Sequence, residues 1–282
     1  MLRGTAPAKI NLGLNILRKR TDGFHDLNTV FHPIGWGDRI SATVSETVSM
    51  TCTDSSLSCG DDNLVIQAAK CLQELTGVNQ GAVIHLEKEL PHGAGLGGGS
   101  SDAATTLQLL SQLWKLESSI SLDSIALMLG SDVPFFLNKT TAYGEGRGEL
   151  LTPLNDYRFP FSLAVIVHPI HISTALAFQQ ISPQETNQFN LIETVKSNDL
   201  ERWSKELVND FESPIFSQWP LLLETKALLL NCGAGYASMS GSGSAIYGVF
   251  ESYKDAQMVI QEEAFRGCAT WCETSIEDTS IF

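Results

Sequence analysis

The chain has 282 residues, 43% of them hydrophobic and 18% charged, which is the composition of a folded globular protein and excludes a disordered or fibrous one. Its formal net charge of −14 opposes broad attraction to nucleic acid or to an anionic membrane surface, since either needs a surplus of Lys and Arg over a sizeable face. The longest apolar stretch, around 159–167, falls far short of the roughly 20 residues a membrane-spanning helix needs, so a small molecule is the expected partner.

Six cysteines (Cys52, Cys59, Cys71, Cys232, Cys268 and Cys272) form no C-x-x-C pair, and no signal-peptide pattern stands at the start. The expected setting is therefore a reducing, cytoplasmic one with free thiols. Cys268 and Cys272 are spaced C-x-x-x-C, and His168 lies close to His171, but neither pair has the further ligands a zinc site requires. Arg3, Lys9, Arg18, Lys19 and Arg20 crowd near the start, as a patch for a small phosphorylated ligand or as a solvated face.

In chain order, AKINLGLNIL at 8–17 alternates at Ile10, Leu12, Leu14 and Ile16 as a half-buried strand, with a turn at Asp22–Gly23. Short strands are expected near 28–35, 39–45 and 47–53. Asp61 and Asp62 introduce a helix whose face carries Leu64, Ala68, Cys71, Leu72 and Leu75 until Gly77 stops it. AVIHLEKEL at 82–90 reads as a strand, SDAATTLQLLSQLWKL as a helix, and SLDSIALML as another that ends at Gly130. GSDVPFFL opens a loop and an apolar segment. Composition shifts at 150–160, where LLTPLNDYRFP collects two prolines and a turn. Beyond it come a strand at FSLAVIVHP, helices near 173–180, 190–209 and 216–231, strands at YASMSGS and SAIYGVF, a helix over 253–265 and a last strand near 268–275. This order predicts an α+β protein of two domains, 1–155 and 156–282.

Between the strand at 82–90 and the next helix lies PHGAGLGGGSSDAA, with five glycines, Gly93, Gly95, Gly97, Gly98 and Gly99, ahead of Ser100 and Ser101. Glycine tolerates positive φ and close approach of a ligand, and free N–H groups leading into a helix attract phosphate. GAGLGG formally matches the dinucleotide fingerprint G-x-G-x-x-G, yet Glu117, at the spacing of the ribose-binding acid, leads into a loop and helix where a second parallel strand is required. A Walker A loop fails because no Gly-Lys-Ser/Thr follows, so any phosphate-binding cation comes from elsewhere.

Three stretches together resemble the GHMP kinases: PAKINLGLNI at 7–16, PHGAGLGGGSSDAA at 91–104 and MSGSGSAIYG at 239–248, in that family's order. RTDGFHDLNTVF at 20–31 and GSDVPFF at 130–136 are similar to the branch that phosphorylates the 2-hydroxyl of a cytidine-diphosphate-linked methylerythritol in non-mevalonate isoprenoid biosynthesis. The resemblance implies a two-domain α/β kinase with its site in the interdomain cleft, using ATP and Mg²⁺. It implies Lys9 and Asp132 as catalytic groups. It assigns ATP to Pro91, Gly93, Ala94, Gly95, Leu96, Gly97, Gly98, Gly99, Ser100 and Ser101, with the two serines near phosphate or metal but no residue fixed as a metal ligand. It assigns the acceptor to Asn11, Phe24, His25, Thr174 and Phe178, with Phe24 and Phe178 sandwiching the cytosine and His25 at its edge. Where the family often has Tyr, this chain has Phe24, which keeps the stacking surface without a phenolic hydroxyl. Gly241 and Gly243 are expected to let the third motif's backbone pass close to the site.

Each residue has a plainer reading: Lys9 as a surface charge at a strand end, Asp132 as a turn residue before Pro134, the serines as helix caps, the phenylalanines as core. Rival functions are a GHMP kinase with a smaller alcohol such as homoserine, a non-catalytic ligand-binding relative, and a dinucleotide-dependent oxidoreductase.

Overall fold

The computed structural model describes residues 1–117, 120–181, 183 and 189–274. Two sheets organise them. The first contains β1 (Leu2–Lys19), β2 (His25–Ser45), β3 (Ser49–Cys52), β4 (Gly81–Glu87), β5 (Ala142–Glu145) and β6 (Leu150–Pro153). The second, fully antiparallel, runs β10 (Ala269–Glu273), β7 (Ser162–Val167), β9 (Ala245–Phe250), β8 (Tyr236–Met239).

β2 is the spine of the first sheet. β1 pairs along its whole length, while β4 takes the opposite edge from Arg39 to Ser45 and β5 takes it from Thr29 to Phe31. The expected separate strands at 28–35 and 39–45 are thus one strand. Between them lies a bulge: pairing steps from Ala8↔Ile34 to Pro7↔Gly37, leaving Gly35 and Trp36 unmatched. The third strand is only Ser49–Cys52.

On one side of this sheet pack α1 (Leu64–Thr76), α2 (Gly98–Leu113) and α3 (Leu122–Leu129). α1 starts where Asn63 Oδ1 accepts from Val65 N at 2.9 Å and stops at Gly77, whose φ is +71°. α2 is lined by small residues, with Ser101 through Leu107 all buried. The short α4 (Phe135–Asn138) follows in the segment read from sequence as a loop.

The other face of β1 carries Ala8, Ile10 and Leu12, which share a core with Leu163, Val165, Trp203 and Tyr247 from the second half of the chain. Buried alternate residues are therefore only half of this strand's story: Lys9 and Asn11, on the opposite face, are 4% and 1% exposed. Lys9 is not the surface lysine that a strand end suggests.

In the second half, α5 (Thr174–Gln179) lies where a helix was expected. The stretch 190–209 divides into α6 (Leu191–Lys196) and α7 (Leu200–Glu206), because Asn198 adopts φ +50° and Asp199 caps the second helix with bonds from Glu201 N and Arg202 N. Likewise 216–231 is divided between α8 (Glu212–Gln218) and α9 (Pro220–Asn231), with Pro220 opening the second. α10 covers only Tyr253–Val259, followed by a short 3₁₀ turn at Glu263–Phe265. The last strand stops at Glu273; position 275 of the expected strand lies outside the described residues. No helix among the described residues is long and apolar enough to cross a membrane.

Candidate active site

A cleft of about 960 Å³ opens between the two halves. Of the residues singled out above, Lys9, Asn11, Phe24, His25, Pro91, Gly93 to Ser100, Asp132, Thr174 and Phe178 all line it. Gly241 lines it as well, whereas Gly243 and Ser101 do not; Ser101 is the exception among the residues assigned to ATP or the acceptor. It is fully buried under the start of α2, and its Oγ has no hydrogen-bond partner among the described residues.

The glycine loop is held from behind by its carbonyls. Ala94 O accepts from Ala245 N at 3.0 Å, Gly95 O from Ser240 Oγ at 2.9 Å and Lys9 Nζ at 2.9 Å, and Leu96 O from Lys9 N at 2.9 Å. Among the described residues, no backbone N–H from Gly93 to Ser100 donates to the protein; Ser101 N, bonded to Gly97 O at 2.9 Å, is the first that does. A run of eight unengaged donors ending at a helix N-terminus fits an anionic ligand such as a nucleotide phosphate chain. Gly93, Gly95 and Gly97 have φ of +67°, +78° and +74°. A Cβ on Gly95 would stand 2.1 Å from Ser240 O, and one on Gly97 would stand 2.7 Å from Phe136 Cζ, so glycine is required there for packing as well as for conformation.

The third glycine motif forms the turn between β8 and β9. It is a hairpin turn, and it also presses on the loop: a Cβ on Gly241 would meet Gly95 O at 3.2 Å and Lys9 Nζ at 3.5 Å. Asn209 Nδ2 secures this turn by donating to Met239 O and Gly241 O at 2.7 and 2.9 Å.

Lys9 Nζ donates to Asn11 Oδ1 at 2.7 Å and stands 3.8 Å from Asp132 Oδ2. Asn11 is oriented in turn, donating through Nδ2 to Thr29 Oγ1 at 2.9 Å, while Thr29 donates to Gly13 O at 2.6 Å. Tyr247 OH donates to Asn11 O at 2.6 Å. Burial lowers the Lys9 amine from its ordinary 10.5, and the charge of Asp132 acts the other way. Asp132 sits on the turn before α4, anchored because Phe135 and Phe136 enter the core against Phe31 and beneath Gly97.

At the far end of the cleft, Phe24 stands 54% exposed on the β1–β2 turn. Phe178 of α5 stacks on the His25 ring, with centroids 4.9 Å apart and planes 16° from parallel, and meets Phe211 edge-on. Burial, and then the nearby Lys19 charge, lower the His25 imidazole below its usual range. Thr174 Oγ1 lies 3.1 Å from Ser242 Oγ at the α5 start.

Several site groups had no sequence signal that distinguished them. Lys88, in the acid-flanked string LEKEL, is buried beneath the loop, with Nζ 2.5 Å from Asp38 Oδ2 and 2.7 Å from Asp102 Oδ2. Asp38 Oδ1 also accepts from Glu89 N and Leu90 N, fixing the backbone just before Pro91. The two carboxylates outweigh burial and hold Lys88 above its ordinary range, whereas burial drives Asp102 up to about 7. Lys88 lies beside the loop at Gly98, but it is already paired. The loop's N–H groups are what an anion meets.

The GHMP kinases N terminal domain matches residues 63–139 and the GHMP kinases C terminal domain matches 191–262. A 4-diphosphocytidyl-2-C-methyl-D-erythritol kinase of Salinibacter ruber is 47% identical over 262 residues, covering 91% of this chain and 92% of the relative. The chain belongs to the GHMP kinases, in the 4-diphosphocytidyl-2-C-methyl-D-erythritol kinase family. A second kinase of that name, from Chlorobium limicola, is 43% identical, covering 93% of this chain and 94% of the relative. A crystal structure of 4-(cytidine 5'-diphospho)-2C-methyl-D-erythritol kinase superposes with a TM-score of 0.84 at 33% identity, covering 97% of this kinase and 99% of that chain. A homoserine kinase structure from Cytophaga hutchinsonii, at 20% identity and a TM-score of 0.69 over 97% of this kinase and 94% of that chain, shares the fold.

Proposed function

We infer that this kinase transfers the γ-phosphate of ATP to the 2-hydroxyl of 4-(cytidine 5'-diphospho)-2-C-methyl-D-erythritol, a step of non-mevalonate isoprenoid precursor biosynthesis. The observation that carries the reading is one cleft lined in sequence by the unengaged glycine loop, by Lys9 with Asp132, and by the Phe24, His25 and Phe178 rings. The loop binds the ATP phosphates through Gly93 to Ser100, and the α2 N-terminus adds its dipole.

Phosphoryl transfer proceeds through a loose transition state in which positioning and charge stabilisation outweigh prior deprotonation. Asp132, one-third exposed to the cleft, orients the acceptor hydroxyl and takes its proton at a carboxylate oxygen. Lys9 stabilises the charge on Asp132 and on the incoming oxygen, its position set by Asn11 and Gly95. The cytosine lies against Phe24 and Phe178, with His25 at its edge.

Mg²⁺ belongs to this proposal. Ser100 and Asp102 line the cleft at the start of α2, and Asp102 Oδ1 is a buried oxygen without a partner among the described residues, an oxygen of the kind Mg²⁺ takes, whereas Ser101 is buried away from the cleft. Bound there, the ion would neutralise phosphate charge. The division into units 1–155 and 156–282 is likewise proposed, supported by the change of sheet between Pro153 and Ser162.

ADP release measured with the cytidine-linked alcohol and with homoserine tests the assignment. Turnover is expected with the first and not with the second; the reverse result overturns it.

A further inference from the structure

The turn between β5 and β6 carries a cation to which sequence reasoning gave no role. Gly146 and Gly148 flank Arg147 with φ of +68° and +101°. The guanidinium carbon of Arg147 lies 4.8 Å from the centroid of the Phe24 ring. Glu149 accepts from the Arg147 backbone N–H and, at 3.3 Å, from its Nε. This orients the head group while, among the described residues, its two terminal nitrogens donate to nothing. A guanidinium laid on an aromatic face with its outer edge unengaged is suited to phosphate oxygens, which it meets with two parallel N–H donors.

Its placement gives the charge a use. Gly146 O accepts from Leu27 N at 2.7 Å, which ties the turn to β2 two residues beyond His25. On the other side, a Cβ on Gly148 would lie 3.8 Å from Asp132 Oδ1. Arg147 therefore stands between the rings assigned to a base and the carboxylate assigned to the reacting hydroxyl. In an alcohol linked to a nucleoside, the diphosphate is the segment joining those two ends.

The other cations of the cleft are placed differently. Lys9 is bonded to Asn11 and Gly95 and faces Asp132, and Lys88 is held by Asp38 and Asp102. Lys19 lies exposed at the end of β1 and offers a hydrated point charge without a planar fork. In a protein of net charge −14, an anionic acceptor needs a local positive group to enter.

We propose that Arg147 binds the diphosphate of the acceptor, spanning the gap between the Phe24 ring and Asp132. This rests on the cytidine-diphosphate reading given above.

Calorimetric titration of the full chain and of R147Q with cytidine and with cytidine diphosphate tests it. The unsubstituted protein is expected to prefer the diphosphate, and R147Q to lose about tenfold in affinity for it while binding cytidine as before. R147M keeps the packing on Phe24 without the charge and serves for the same comparison if R147Q does not fold. Equal losses for both ligands would mean that Arg147 only supports the Phe24 ring, and an unchanged diphosphate affinity would mean it has no part in binding; either overturns the proposal. If the unsubstituted protein binds neither ligand, the cytidine reading falls and the proposal with it. A clear preference for the diphosphate that survives R147Q overturns the role of Arg147 alone.

Discussion

Lys9 and Asp132 face each other across the cleft at 3.8 Å, close enough for charge attraction and too far for a good hydrogen bond, because the Lys9 ammonium is held by Asn11 Oδ1 at 2.7 Å and Gly95 O at 2.9 Å. The carboxylate is thereby left with oxygens that a substrate hydroxyl can approach. The same bonds couple Lys9 to the glycine loop, so that the loop backbone and the Asp132 side chain share one amine.

Asp132→Asn is expected to lower kcat by about 10²–10⁴-fold with a smaller change in the KM for ATP. Steady-state kinetics with near-normal turnover would remove Asp132 from its assigned role. Burial lowers the Lys9 amine from 10.5 and Asp132 opposes that shift, so the alkaline limb of the wild-type pH profile falls below pH 10.5. Asp132→Asn removes the opposing charge, and the limb of its residual activity moves lower still.

Phe24→Ala removes a stacking surface worth about 1–3 kcal/mol per base, which corresponds to a rise of roughly 5- to 150-fold in the KM for the acceptor. The KM for ATP stays within about twofold, since Phe24 lies at the other end of the cleft. Initial rates with each substrate varied in turn separate the two effects.

Gly95→Ala places a Cβ 2.1 Å from Ser240 O on a residue with φ +78°, so both strain and collision act. We expect a loss of more than about 2 kcal/mol in chemical denaturation. Gly77→Ala is the control: its φ is +71° but nothing lies within 4 Å of the new Cβ, and about 1 kcal/mol is expected. Equal losses at the two positions would contradict the close packing of the loop on the β8–β9 turn.

Glu273 joins the last strand to the β2 bulge, accepting from Gly35 N at 2.7 Å and Trp271 Nε1 at 2.8 Å. Burial raises its carboxyl from 4.5 to about 7, against the pull of those two bonds. A raised folded-state value means that the native state holds the proton more tightly. The stabilisation is complete below about pH 4.5 and is lost as pH rises through about 7. Thermal melts from pH 5 to 8 are expected to show this loss, up to about 3 kcal/mol, in the wild type and not in Glu273→Gln. Parallel pH profiles for the two proteins would show that the carboxyl titrates at its ordinary value.

Lys88→Met leaves Asp38 and Asp102 buried without their cation, an arrangement that costs about 3–5 kcal/mol. Adding Asp102→Asn is expected to return part of that loss, measured by urea denaturation. If the double variant is no more stable than Lys88→Met, charge repulsion is not what Lys88 relieves.

Much of the site was legible because it is local. The period-two alternation of β1 puts Lys9 and Asn11 on one face, five glycines mark a backbone that a ligand approaches, and Gly77 announces the end of α1, whose start was read at Asp61 and Asp62 and is capped by Asn63. The GSDVPFF string pointed to Asp132, although the helical turn that secures it was not read. Less visible was β2, read as two strands near 28–35 and 39–45. They form one because β1 pairs across the bulge and β4 and β5 each support a different half. In the second half, single helices were expected near 190–209 and 216–231, where Asn198 and Pro220 divide the chain, a local signal that was present and not read.

By itself, then, the sequence determined which segments pair, cap and bend, and through its three glycine motifs the kind of ligand the protein handles. Tertiary structure alone decided what those residues meet. It buried Lys88 between carboxylates 50 positions before it and 14 after it, and it set Arg147 on the Phe24 ring. It also turned the carbonyls of the glycine loop toward β1 and the β8–β9 turn while its N–H groups stayed unengaged. Periodicity reports only how a segment faces its own neighbours, whereas the charge, burial and hydrogen bonding of a site depend on partners brought from far along the chain.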